Sequence, residues 1–230
     1  MPSMKIRSHT LAALALAAAA LGNAHADTRS FSSNTVALTK TDWTDVLDLP
    51  QFNSALGNLQ AVTLDLFGNL TGTAKAESLN NTAASITLNL QATLQLRSPD
   101  DLNTVLVQTM PLVQQSFSAA SHDGVANYAG ASGITYTGLA GNARQSATFT
   151  DAATLALFTG SGLLHAPVSA LGASYYAGPG NVITSFRTQA GAYATVTYQF
   201  TPSAVPEPGT WVLLLAGLGA IGLLSARRRT

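Results

Sequence analysis

Between residues 85 and 97, Ile86, Leu88, Leu90, Ala92, Leu94 and Leu96 alternate without a break with Thr87, Asn89, Gln91, Thr93 and Gln95. A period of two puts that whole apolar set on one face of an extended strand, whereas a helix would scatter it around its circumference. A strand with one apolar face needs neighbours for its backbone and a second layer over that face, which commits the chain to packed sheets. Other stretches read the same way. Val62, Leu64 and Leu66 alternate with Thr63, Asp65 and Phe67, and Gly68-Asn69 reads as the end of that run. Residues 104–108 and 112–117 straddle Pro111, which cannot donate to a ladder and so marks an edge strand or a bulge. In 192–201, Ala194, Val196, Tyr198 and Phe200 alternate with Tyr193, Thr195, Thr197 and Gln199 and predict a closing strand. Only 151–158, with Ala152, Leu155 and Phe158 at near-helical spacing, reads as a short helix or a turn. The expected class is all-β, an antiparallel β-sandwich of the jelly-roll-like kind.

Charge and cysteine content narrow the function. Overall charge is zero, but Lys5, Arg7 and Arg227 to Arg229 lie at the two ends, and residues 27–204 carry a net of −4. With no basic patch to neutralise phosphates, nucleic acid is excluded as a partner. The chain has no cysteine, so neither disulfides nor thiolate metal sites contribute, and stability must come from strand pairing and packing. Residues 27–204 have the length of one domain, and nothing in them reads as a linker.

Both ends read as targeting segments. Lys5 and Arg7 precede an Ala/Leu core at 11–21, and Ala24-His25-Ala26 is an A-x-A cleavage site, so 1–26 is expected to be a signal peptide. The Sec translocon and signal peptidase are the partners this implies, and the mature chain should start at Asp27. At the other end, Val205-Pro206-Glu207-Pro208 is followed by an apolar run from Trp211 and then by Arg227, Arg228 and Arg229. The 17 residues 210–226 are uncharged. As a helix they reach about 25 Å, enough for a short single transmembrane segment. Its terminal arginines should stay on the cytoplasmic side. This order of motif, helix and basic cluster resembles the PEP-CTERM sorting signal of Gram-negative bacteria, with residues 205–208 matching its V-P-E-P core. The resemblance implies a processing partner of the exosortase type, a membrane-inserted precursor, and delivery to the cell surface or an extracellular matrix of exopolysaccharide and biofilm.

A second resemblance lies in 43–64. Phe52, Leu56, Gly57, Leu59, Val62 and Leu64 fall on the pattern F-D-P-x-L-G-x-L-x-x-V-x-L of the choice-of-anchor E domain, with Asn53-Ser54 in place of Asp-Pro. The resemblance implies one extracellular domain over most of 30–201 and no particular activity. Physically, Pro50 should end a strand, Leu56-Gly57 should turn with glycine at positive φ, and the next strand should start at Leu59.

Candidate chemistry is sparse. Asp42, Asp45 and Asp48 recur every third residue but lack the spacing of a calcium loop, and in a strand Asp45 faces away from the other two. Gly217-Leu218-Gly219-Ala220-Ile221-Gly222 spells a dinucleotide motif inside an apolar segment, where it has no function. His122 and His165 have no sequence partner for metal or acid-base work, and neither Ser132 nor Ser161 sits in a G-x-S-x-G elbow. No catalytic residue, cofactor or metal is expected. Tyr128, Tyr136, Tyr175 and Tyr176 are read as packing residues that could also stack on sugars. The expected function is that of a non-enzymatic structural or adhesive protein, with a carbohydrate- or calcium-binding module, or a carbohydrate-active enzyme, on the same anchor as the alternative.

Overall fold

The computed structural model describes residues 26–203, 215–222 and 227. Residues 27–200 form one compact unit. It holds eleven strands: β1 (Asp27–Ser32), β2 (Val36–Lys40), β3 (Trp43–Pro50), β4 (Gly57–Ser78), β5 (Ala84–Arg97), β6 (Val105–Thr109), β7 (Leu112–Ala119), β8 (Gly133–Phe149), β9 (Leu163–Gly172), β10 (Tyr175–Ala177) and β11 (Val182–Pro202), whose last two residues run past the unit.

The pairings reduce to a ribbon rolled on itself. β5 pairs with β7 and β6 in one continuing register, Gln91↔Leu112 and Leu94↔Thr109, interrupted where Met110-Pro111 breaks the ladder. Outward from this hairpin, β4 pairs with β8, β3 with β9, and β1 and β2 with β11, all antiparallel. Rolling the ribbon sets β11 beside β4, and sets β9 and β10 beside β5. Two sheets result, β1/β2-β11-β4-β8 and β3-β9/β10-β5-β6/β7. Counting interrupted strands as one, the orders are 1-8-3-6 and 2-7-4-5, a double-sheet jelly roll. Pro111 lies on the outer edge of the second sheet, where a missing N–H is harmless.

The core is the set of inward faces that the alternation foretold. Ile86, Leu88, Leu90, Ala92, Leu94 and Leu96 of β5 are all buried, facing Val62, Leu64, Leu66 and Leu70 of β4 and Ala192, Ala194, Val196 and Tyr198 of β11. Tyr198 reaches across the layers to donate its hydroxyl to the Pro50 carbonyl at 2.6 Å, and burial pushes its phenol pKa far up. Phe52 closes one end against Tyr198 and Phe200, with ring centroids 5.6 and 5.0 Å away. The turn between the sheets is as expected at Pro50 and Gly57, whose φ is 150°; between them Asn53 caps a short 3-10 turn by accepting from the Ala55 N–H.

Three boundaries differ from the sequence reading: the closing strand expected over 192–201 begins at Val182, the strand expected from Leu59 begins at Gly57, and the end of that strand lies further on. β4 does not stop at Gly68-Asn69 but runs for 22 residues through both. Gly68 is there for packing: a Cβ would sit 3.0–3.3 Å from Thr109, Leu94 and Pro111 of the facing sheet. The segment at 151–158 is a short helix, Ala152–Leu157, with Asp151 accepting from the Thr154 N–H as its N-cap.

Residues 215–222 form a helix, so the glycines of the dinucleotide-like motif lie within a helix and not in a strand-to-helix turn. No helix among the described residues is long and apolar enough to cross a membrane. Residues 1–25 of the expected signal peptide and 204–214 of the tail, with Val205, Pro206, Glu207 and Pro208, lie outside the described residues, as do Ala24, Arg228 and Arg229. Ala26 is exposed immediately before β1.

Candidate functional site

The chemistry-bearing residues of the domain do not gather in one cleft. The three aspartates near the N-terminus stay apart, each with its own partner. Asp42, at φ 73° in the turn after β2, accepts from the Gly172 N–H at 3.1 Å. Asp45 accepts from the Val46 N–H at 2.8 Å, and Asp48 sits 2.6 Å from Nδ1 of His165, its cross-strand neighbour on β9. The His165 side chain is 68% exposed, so this is a solvated surface pair. Asp100-Asp101 forms a turn, in which Asp101 accepts from the Thr104 hydroxyl at 2.6 Å and the Asn103 N–H at 3.0 Å; these bonds hold its carboxyl below the usual range.

A different group converges at the far end of β4. Glu77, the only glutamate between residues 27 and 204, is fully buried there, opposite Gly133 of β8. Its Oε1 accepts from the buried Ser132 hydroxyl at 2.6 Å, and its Oε2 from the Tyr128 N–H at 2.7 Å. Both donors come from the segment 120–132 linking β7 to β8, which folds back over the carboxylate. Gly133 makes that possible, because a Cβ there would lie 2.2 Å from Oε2 of Glu77 and 2.6 Å from the Ala129 nitrogen. The same segment brings in His122 and Asp123. Donor atoms of Glu77, His122 and Asp123 all lie within 4.8 Å of one another, the one such group of metal-capable side chains among the described residues. The sequence reading left His122 without a partner; its neighbour is a glutamate on a strand far upstream, which no local spacing reveals. The Ser132 hydroxyl donates to Glu77 and not to a histidine.

Two surface features complete the inventory. A cleft of about 810 Å³ opens among Lys40, Asp42, Thr73, Ser174, Phe186 and Arg187, where β4 and the β9/β10 strand are irregular. On the outer face of the first sheet, Arg144 lies 5.2 Å over the Phe67 ring and Phe67 stacks on Tyr193 at 4.5 Å and 2°, while Arg144 also pairs with Asp65 at 2.9 Å. Of the four tyrosines singled out from sequence, Tyr136 donates to the Ser116 carbonyl, Tyr128 lies under Lys75, and Tyr176 packs on the core; Tyr175 is half exposed.

Residues 27–200 are thus a jelly-roll β-sandwich, and a C-terminal tail follows it in sequence. Residues 204–229 of that tail carry the PEP-CTERM protein-sorting motif. No curated protein matches the chain in sequence. Among solved structures the chain is similar to that of the infectious bursal disease virus Gx strain, at 11% identity over 78% of this chain and 37% of that one, with a TM-score of 0.20. It is similar also to desmodium yellow mottle tymovirus (10% identity, 90% and 92% covered, TM-score 0.20) and to mud crab tombus-like virus (10% identity, 85% and 100% covered, TM-score 0.22). Likenesses this weak say nothing about function.

Proposed function

We propose that this chain is an exported, non-enzymatic structural or adhesive protein, carried out by a cleaved signal peptide and held in the inner membrane by its tail. An exosortase-type enzyme then processes the tail, and the domain, of the choice-of-anchor E type, passes to the cell surface or an exopolysaccharide matrix. The observation that carries the reading is the sorting motif at 204–229, which begins just past the end of β11. Within the motif, residues 215–222 are helical, the conformation that a membrane segment takes. Anchoring alone needs only an apolar helix with interfacial and basic flanks, so the Pro-Glu-Pro before it calls for another role. In sequence terms, prolines fix φ near −65° and disfavour the helical form for the residue before them, so a Pro-Glu-Pro favours the extended form in which a processing enzyme takes a backbone. In the test, Glu207→Ala leaves the protein exported and membrane-inserted but unprocessed, so a heavier form accumulates in the inner membrane on a fractionated immunoblot. Normal processing of that variant refutes the reading.

The cleft beside Lys40 and Arg187 favours a second reading, a glycan-binding module on the same anchor. Its lining combines hydroxyls from Thr73 and Ser174, an aromatic face from Phe186, the cations Lys40 and Arg187 and the carboxylate of Asp42, a mixed polar set that suits a saccharide. A glycan array probed with the purified protein, with and without calcium, separates the two, since a scaffold gives no discrete ligand.

A further inference from the structure

We propose that Glu77, His122 and Asp123 bind one divalent transition-metal ion, zinc being the ion that this donor set suits, and that the ion fastens segment 120–132 to the end of β4. The inference does not rest on the sorting motif. Nδ1 of His122 is shut off from solvent and has no hydrogen-bond partner, a condition that folded proteins avoid unless the atom serves something else. One nitrogen of the His122 ring stands within 4.8 Å of carboxylate oxygens from both Glu77 and Asp123. Glu77 is fully buried, and the ion pairs seen within residues 27–200, Arg144–Asp65 and His165–Asp48, do not include it. Its two hydrogen bonds occupy one lone pair on each oxygen and leave the other free to ligate. A buried carboxylate of this kind is stabilised by a cation, and one imidazole with two carboxylates selects a transition ion over calcium or magnesium.

The surroundings behave as the support of such a site. The Ser132 hydroxyl and Tyr128 N–H orient the Glu77 carboxylate, and the backbone N–H of His122 donates to the Asn80 carbonyl at 2.8 Å, which fixes where the segment carries this residue. Asp123 accepts from the Val125 N–H through Oδ1, while its Oδ2 lies 2.9 Å from the position of a Cβ on Gly130, whose φ is 74°. Ligand atoms around tetrahedral zinc stand about 3.3 Å apart, given metal–ligand bonds of about 2.0–2.2 Å. Separations of up to 4.8 Å close to that value with a small movement of the group. Two of its three ligands lie on the connecting segment, which can close onto the fixed Glu77. With three protein ligands and an exposed Asp123, a fourth position is left for water.

The test is calorimetric titration of the full-length protein, purified in mild detergent and stripped of metal by a chelator, with zinc and, separately, with calcium. One zinc ion binds per chain, with calcium much weaker. His122→Ala and Asp123→Asn, both on the connecting segment and checked for unchanged circular dichroism, weaken zinc binding by more than about tenfold. His165→Ala binds like the wild type, and zinc raises the Tm of the wild type but not of His122→Ala. Absence of stoichiometric zinc binding, equal binding by His122→Ala, or a preference for calcium overturns the proposal.

Discussion

Leu90→Ala tests how the two sheets hold each other. Leu90 is fully buried at the middle of β5, and its Cδ2 lies 3.2 Å from where a Cβ on Gly72 of β4 would stand. Gly72 has no side chain to fill the space that a shortened residue 90 would leave. Nor can it gain one, because the Arg187 carbonyl oxygen lies 2.0 Å from the same point. Truncating a buried leucine costs about 2–5 kcal/mol, more where the site cannot collapse, so a value of about 3–5 kcal/mol is expected here. Against a total stability of about 5–15 kcal/mol, that is a large share. Trp43, which donates to the Ala190 carbonyl and packs on the core, is the domain's only tryptophan and reports unfolding by fluorescence. With a urea m-value of about 2 kcal/mol/M, the midpoint should fall by roughly 1.5–2.5 M. Gln91→Ala, on the outward face of the same strand, should move it by no more than about 0.25 M, because surface changes seldom exceed about 0.5 kcal/mol. Equal shifts in the two variants would show that the inward face of β5 has been misassigned.

Tyr198→Phe leaves the Pro50 carbonyl without its donor and should cost about 1–3 kcal/mol in the same urea assay. Asp101 is held below its ordinary pKa by the Thr104 hydroxyl and the Asn103 N–H, and Asp151 by the Thr154 N–H. Each therefore adds stability that is full above the unfolded carboxylate pKa, near 3.9, and fades as pH falls through the lower folded value. The double variant Asp101→Asn/Asp151→Asn should show a shallower loss of stability below about pH 4 in acid titrations followed by circular dichroism. Replacing Arg227, Arg228 and Arg229 together removes the charges that keep the tail end in the cytoplasm, and protease protection in spheroplasts should report a loosened orientation.

The strands legible in the sequence are those with one wet face and one dry face. β5 and the second half of β11 alternate cleanly because a facing sheet covers only their inward residues. β8 was not legible: it forms the edge of its sheet, and of its residues only Gly133 and Leu139 are buried, so it has little apolar rhythm to read. The Gly68 error has a different cause, since a glycine that admits the opposite layer and a glycine that turns the chain look alike in sequence. The Glu77 group was invisible for a topological reason. Its ligands come from a strand end and from a segment on the far side of the β5–β7 hairpin, and they meet only because β8 pairs back along β4. The one local clue was a solitary glutamate in a domain whose other acids are aspartates.

Intact-mass spectrometry of the native protein, recovered separately from the inner membrane, the cell surface and the medium, tests the account most directly. It predicts a species beginning at Asp27 whose C-terminus has been processed, so that the surface or released form lacks Arg227, Arg228 and Arg229, while the membrane fraction retains them. Surface or released protein that still ends in those arginines would contradict it and leave the tail as an ordinary membrane anchor.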